Sequence, residues 1–319
     1  MKKVLVMGGT GAMGRYLVPK LADCGYQVDV LSLDDMTSDR GNLRYLKANA
    51  MDETVLRELL QNRYDGIVDF MIYGTEAFRD RHPLLLENCE HYIYLSSYRV
   101  FAETKGWTTE DSPQLLDVSD NQLFLSTEDY SLKKARGEDI LEQSPYKNWT
   151  IIRPAITYSK RRAQLVTLEC NAWIHDVRAG RPVLLPEAAK NVEATMSWGG
   201  DVAEMQKRLL FNEKTLCEAF NVTTSEHRTW GTVADYYTDL YGMKVEYVDT
   251  NTYIASIMKR STSTDPMWEH HVRWQLEYDR LFERKMDNRK VLTATGLNQN
   301  ELMSLYDGLK YERESVVTM

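Results

Sequence analysis

Tyr130 and Lys134 stand four residues apart, which puts both on one face of a helix. A tyrosine hydroxyl titrates at about pH 10, too high for a base at neutral pH. A lysine ammonium beside it favours the phenolate, so the pair could move a proton to or from a substrate oxygen. A surface tyrosine and a solvated lysine would show the same spacing, so the pair gains meaning from the rest of the chain. Ser126-x-x-Asp129 just ahead resembles a capping box and predicts a helix start near Ser126.

A second set of residues is suited to binding phosphate. Val4 to Val6 is an apolar run fit for a buried parallel strand, and Gly8-Gly9-Thr10-Gly11-Ala12-Met13-Gly14 follows it. Gly9-x-Gly11-x-x-Gly14 then opens a helical pattern from about Arg15 to Cys24. Strand, glycine turn and helix start together form a dinucleotide fingerprint. Early glycines allow a tight turn and close approach of the pyrophosphate, and Gly14 allows close helix packing. The helix start offers free N–H groups and a positive dipole end. The next strand, Gln27 to Leu33, has Ser32 where its end is expected, followed by Asp34-Asp35. A carboxylate there can accept bonds from ribose hydroxyls and repels a 2′-phosphate. That favours NAD and leaves NADP open, with Arg40 nearby; two solvated turn acids would look alike.

These residues need a frame to hold them. Strands are expected near 43–46, 66–72, 92–95 and 149–153, with one helix after Asp52 that carries Val55, Leu56, Leu59 and Leu60 on one face and another near 75–88. Alternation of this kind implies a doubly wound parallel sheet of Rossmann type, with its ligand at the carboxyl ends of the strands. Residues 102–126 read as a loop over the site. After Pro154 the composition shifts. Helices are expected at about 163–179, 201–212, 229–241 and 265–284, with short strands at 183–185, 219–222 and 245–248. The division is therefore a dinucleotide-binding domain, 1–154, and a smaller intertwined substrate domain, 155–319, whose strands can return to the main sheet and whose tail is helical.

The 319 residues carry a formal net charge of −8 and no long basic run, which argues against a nucleic-acid partner. No apolar stretch is long enough for a membrane span. Met1-Lys2-Lys3 resembles the opening of a signal peptide, but a strand and glycine loop follow at once. Cys24, Cys89, Cys170 and Cys217 lack metal-ligand spacing and read as reduced, mostly buried thiols of a cytoplasmic protein. His270-His271, between Trp268 and Trp274, point to different helix faces and suit a structural or interface role better than a shared metal. The tail beyond about 252 either covers the cleft or forms a homodimer face.

The glycine loop, Ser97 and Tyr130-x-x-x-Lys134 together resemble the extended short-chain dehydrogenases/reductases, the NAD-dependent epimerase/dehydratase superfamily. The resemblance spans roughly residues 1–250, with an echo in Asp287-Asn288-Arg289-Lys290. Gly8-x-x-Gly11-x-x-Gly14 resembles the family's TGxxGxxG, with Met7 in place of Thr. Leu95-Ser96-Ser97-Tyr98-Arg99-Val100-Phe101 resembles its SSxxVY segment, which implies a catalytic hydroxyl at Ser97. Asn49-Ala50-Met51-Asp52 resembles the adenine-side DxxD, implying cofactor contacts at Asn49 and Ala50. Ile152-Arg153-Pro154 and Phe220-Asn221-Val222 resemble its RP and FNV segments. The resemblance implies catalysis by Ser97, Tyr130 and Lys134, with the last two also contacting the nicotinamide ribose.

The chain departs from that pattern at two places. Ala194 falls near the position where nucleotide-sugar enzymes of the family carry an arginine. Thr157-Tyr158-Ser159-Lys160-Arg161-Arg162 replaces VYGP, and its basic residues either hold a phosphate or begin a solvated helix. The whole also resembles the atypical branch that includes chloroplast stem-loop-binding proteins. The expected function is an epimerase, reductase or dehydratase acting on a free or nucleotide-linked sugar. The alternative is a regulatory or RNA-binding protein that binds dinucleotide without turnover.

Overall fold

The computed structural model describes residues 1–318. Seven strands form one parallel sheet: β1 (Lys3–Met7), β2 (Gln27–Ser32), β3 (Leu43–Lys47), β4 (Gly66–Asp69), β5 (His91–Leu95), β6 (Trp149–Ile152) and β7 (Glu218–Phe220). Their order is β7-β6-β5-β4-β1-β2-β3, so it reverses between β1 and β4. A crevice opens at such a switch point, beyond the carboxyl ends of the strands.

The strands are apolar on both faces because helices cover both. Val4, Val6, Val28, Val30 and Val68 face α1 (Gly14–Asp23) and the helix Gly199–Leu209. Leu5, Met7, Leu31, Ile67 and Tyr92 face the helices Glu53–Leu60, Thr75–Glu87 and Tyr130–Glu142. Strand β7 comes from the second half of the chain and pairs with β6, Ala219 opposite Ile151.

The second half builds its own core around the fully buried Trp173, Trp230, Tyr237 and Tyr253. A three-stranded sheet crosses it, with Glu193–Trp198 between Ile156–Tyr158 and His227–Thr229. Lys285–Met286 pairs with Trp107–Thr108 and so ties the tail to the long connection after β5.

Several local expectations are corrected. The helix expected from about 163 begins at Cys170. Two short bridges, Ser159 to Arg162 and Leu165 to Leu168, precede it, and left-handed backbone at Arg161 (φ 60°) and Val166 (φ 53°) interrupts any helix there. Ser126 ends the short helix Gln122–Leu125; Asp129 caps the next helix, accepting from the Ser131 N–H at 2.9 Å. The connection 102–126 holds two short helices and a strand rather than plain loop. The segment 265–284 is an α-helix over Trp268–Gln275 that continues as a π-turn over Leu276–Arg280. Cys24 and Cys217 are exposed, so the thiols are not mostly buried. Among the described residues, no helix is long and apolar enough to cross a membrane.

Candidate active site

The glycine loop leaves β1 with Gly8 in left-handed backbone, φ +70°. That conformation suits glycine and turns the chain across the sheet end. A Cβ at Gly14 would sit 2.3 Å from the Gly9 carbonyl oxygen, so the start of α1 lies directly on the loop. A Cβ at Gly11 would meet nothing nearer than the Gly8 carbonyl oxygen at 3.5 Å; this glycine faces open space. Among the described residues, no side chain caps α1. The loop is thus a bare backbone cradle at a helix start, which fits a dinucleotide pyrophosphate.

A cleft of about 370 Å³ opens above the loop. Its wall includes Gly8, Gly11, Ala12, Met13 and Gly14 from the loop, Ser97 from the end of β5, and Tyr130 from the helix start opposite. Ser97 is buried, and its hydroxyl oxygen accepts from the Arg99 N–H at 3.2 Å, capping the 3-10 turn Tyr98–Val100. The helix carrying Tyr130 presses on β5, since a Cβ at Gly137 would overlap the Tyr94 hydroxyl at 2.1 Å. Arg153, just past β6, forks onto Glu138 of this helix at 2.9 and 2.6 Å, with both side chains buried. Its remaining arm donates to the Glu110 carbonyl oxygen at 2.9 Å. Arg153 therefore fixes the helix that presents Tyr130 and anchors the connection above it.

Lys134 does not line the cleft. Its buried ammonium lies a layer below, donating to the carbonyl oxygens of Met71 at 3.1 Å and Leu95 at 2.5 Å. Burial pushes its pKa down to about 8, against the pull of Asp69. Asp69, at the end of β4, is itself buried and accepts from the hydroxyls of Tyr73 (2.9 Å) and Tyr92 (2.8 Å) and the Met71 N–H (2.8 Å). Desolvation raises the Asp69 pKa.

Gly9, Thr10, Ser32, Asp34, Asn49 and Ala50 also lie outside the cleft wall. Gly9 is packed beneath the loop, where a Cβ would come within 2.8 Å of Val6 and Val30. Thr10 and Ser32 share a hydroxyl hydrogen bond of 2.8 Å, and Ser32 also accepts from the Asp34 N–H at 3.1 Å. The Asp34 carboxylate is exposed, whereas Asp35 pairs with Lys47 at 2.9 Å and Arg40 with Asp23 at 2.6 Å. Asn49 closes its own turn onto the Met51 N–H at 2.9 Å. Ala50 is buried, its carbonyl oxygen accepting from Arg81 at 2.6 Å.

Sequence reasoning missed Arg99 and Arg280, both in the cleft wall. The Arg99 guanidinium lies over the Tyr130 ring, 5.1 Å from its centre. Arg280 donates from Nε to the Val166 carbonyl oxygen at 2.7 Å and from Nη1 to the Tyr98 hydroxyl. Val166 is β-branched at positive φ, so this carbonyl is presented at a backbone cost. Arg99 stands two residues after Ser97, a placement the sequence displayed; Arg280 sits on a π-turn that no periodicity announces. Arg162 also lines the cleft, from a bridge turn rather than a helix start.

A parallel sheet with a glycine loop at its switch point, and the side chains of Ser97 and Tyr130 in the adjoining cleft, define a Rossmann-type protein whose loop fits a dinucleotide. The residue pattern of the NAD dependent epimerase/dehydratase family matches residues 4–222, and the chain belongs to that family. A curated relative, the chloroplast stem-loop binding protein of 41 kDa b from Arabidopsis thaliana, is 28% identical over 251 residues, 73% of this chain. The chain spans 61% of that relative's length. MoeE5 in complex with UDP-glucose and NAD superposes with a TM-score of 0.70 at 15% identity over 98% of both chains. The UDP-glucuronic acid 4-epimerase of Bacillus cereus, in complex with UDP-glucuronic acid and NAD, gives 0.69 at 15% identity over 99% of both. A short-chain dehydrogenase/reductase superfamily protein of Agrobacterium tumefaciens with bound NAD gives 0.69 at 13% identity, covering 98% of this chain and 96% of its own. These likenesses establish the fold.

Proposed function

We propose that this chain is an NAD-dependent epimerase, or a related reductase or dehydratase, acting on a nucleotide-linked sugar with Ser97, Tyr130 and Lys134 as its working set. The observation that carries the reading is that Ser97 and Tyr130 share the wall of one cleft with Gly8 and Gly11 to Gly14. NAD, when bound, supplies the hydride acceptor and donor. Tyr130 takes the proton of the substrate hydroxyl as that carbon is oxidised and returns it on reduction. Ser97 bonds the same oxygen and holds it against Tyr130. Lys134, held on two backbone carbonyls behind the cleft wall, contributes through its charge. That charge favours the phenolate. Exposed Asp34 suits a free ribose 2′-hydroxyl, and Arg40, tied to Asp23, is drawn away from a 2′-phosphate. NAD and UDP-sugars in the structural neighbours support the choice of cofactor and substrate class.

The stem-loop binding relative favours a second reading, an RNA-binding protein, against which the net charge of −8 speaks. One experiment separates them. Purified protein is denatured and its bound nucleotide identified by mass spectrometry, then intact protein is incubated with UDP-sugars and the products analysed for epimers. Retained NAD and an interconverted sugar, lost in Tyr130→Phe, support the enzyme. No turnover of any sugar, with salt-sensitive binding of a stem-loop RNA, would overturn it.

A further inference from the structure

Three arginines, Arg99, Arg162 and Arg280, line the cleft with one carboxylate, Glu169. Arg99, Arg280 and Arg284 crowd around Asp279, their side chains 14%, 4% and 3% exposed. Asp279 touches Arg280, but stands 3.4 Å from Arg99 Nε and 3.8 Å from Arg284 Nε, too far for full hydrogen bonds. The other carboxylate within reach of Arg99 is Asp129, at 3.9 Å. Asp129 already accepts from the Ser131 N–H and hydroxyl, and His271 lies 3.4 Å from its second oxygen. Among the described residues, Arg99 Nε and Arg284 Nε have no hydrogen-bond partner. Burial and like-charge crowding lower the pKa of Arg284 to about 10 and that of Arg280 from its usual value. Arg284 is turned inward onto the carbonyl oxygens of Phe101 and Ala102, whereas Arg99 and Arg280 face the cleft.

Asp279 Oδ1 is likewise without a hydrogen-bond partner, so this carboxylate does not complete the arginines around it, and the guanidiniums of Arg99 and Arg280 that face the cleft can take a further anion. We propose that Arg99 and Arg280 form a carboxylate subsite, so that the sugar carries an acid group close to the carbon that reacts. The proposal rests on the enzymatic reading above. The position of Arg99 distinguishes a sugar carboxylate from the nucleotide's diphosphate. It lies over the ring of Tyr130 and two residues from Ser97, beside the groups that face the reacting oxygen. The planar fork of Arg99 suits a carboxylate, and its stack on Tyr130 holds that fork in place.

The test is calorimetric titration of the NAD-loaded protein with UDP-glucuronic acid and UDP-glucose, then with free glucuronate and glucose. One charge-assisted contact is worth about tenfold or more in affinity. The acid should bind about tenfold more tightly than its neutral partner. Arg99→Met should weaken UDP-glucuronic acid binding about tenfold more than UDP-glucose binding, and Arg99→Lys should keep part of the preference. Melting curves without ligand check that both variants fold, and the preference of the unaltered protein stands independently of them. Equal affinity for acid and neutral sugars overturns the subsite while leaving the nucleotide-sugar reading intact. Equal loss of both UDP-sugars in Arg99→Met also overturns it, since Arg99 would then serve the diphosphate. A preference for free glucuronate without binding of either UDP-sugar supports the subsite and overturns the nucleotide-linked substrate. No binding by either acid overturns the subsite.

Discussion

At the scale of single residues, Tyr130, Ser97 and Lys134 should fail in different ways. Tyr130→Phe removes a hydroxyl and keeps the ring under Arg99, so fold and NAD affinity should hold while turnover falls by about a hundredfold to ten-thousandfold. Ser97→Ala should slow turnover with little change in NAD affinity, because its substrate partner is an oxygen of the sugar. It also removes the acceptor of the Arg99 N–H, so a small loss of thermal stability accompanies it. Lys134→Met removes the charge that favours the phenolate, so the rate should drop with a smaller change in NAD affinity. The lowered Lys134 pKa adds a pH test. Below about 8 the ammonium is charged and favours the phenolate; above it the charge is lost. The rate should therefore fall as pH rises through about 8, and that descending limb should be absent in Lys134→Met. A limb unchanged in that variant assigns it to another group.

At the scale of elements, the two ends of the glycine loop make opposite predictions. Gly11 faces open space, so Gly11→Val should leave the melting temperature nearly unchanged and weaken NAD binding at least about tenfold by occupying the phosphate cradle. Gly14 lies on backbone, so Gly14→Ala should destabilise the protein as well as weaken binding. Thermal melts and NAD titrations of the pair check both, and equal titration curves for Gly11→Val and its parent would remove the loop from the phosphate site. The loop, its flanking strand and α1 were legible in the sequence because their signals are local: an apolar run, glycine spacing, a helical apolar face. The helix start at Asp129 was misread by three residues because Ser126 and Asp129 are both good caps, and only the chain path decides between them. Arg280 was not legible, because a π-turn and the left-handed Val166 that receives its Nε–H arise from tertiary contact rather than from any sequence period. Lys134 was legible as a partner in spacing, but its retreat onto two carbonyls depends on the ends of β4 and β5.

At the scale of the whole molecule, the second half of the chain has a core of its own and also completes one face of the main sheet. His91, at the start of β5, accepts from the Phe211 N–H at Nδ1 and bonds the Thr150 hydroxyl through Nε2, both at 2.8 Å. The first bond fixes the neutral tautomer with its proton on Nε2. Burial pushes the His91 pKa down to about 4. A histidine lowered in this way is stabilising above its unfolded value of about 6.5, and that contribution is lost as pH falls from about 6.5 towards 4, at up to about 1.4 kcal/mol per pH unit. Denaturant titrations should show that slope reduced by one proton in His91→Gln; an unchanged slope would free His91 of the role. The same bond joins residue 211 to the sheet, and more of the second half follows it. β7 pairs with β6, and Val202, Met205, Leu209 and Phe220 pack on the face of the sheet that α1 also covers. The helix beginning at Gly199 approaches so closely that a Cβ there would lie 2.9 Å from the Ala12 carbonyl oxygen, against the back of the nucleotide loop. A fragment of residues 1–154 would hold every glycine of the fingerprint and all three of Ser97, Tyr130 and Lys134. It would also bare an apolar sheet face and leave β6 as an open edge. Its expected behaviour is association, loss of near-ultraviolet circular dichroism and no measurable NAD binding, with hydrogen exchange at β1 amides faster than in the full chain by orders of magnitude. A fragment that unfolds cooperatively and binds NAD as the full chain does would show that the first half is a domain in its own right and that the return of β7 is dispensable.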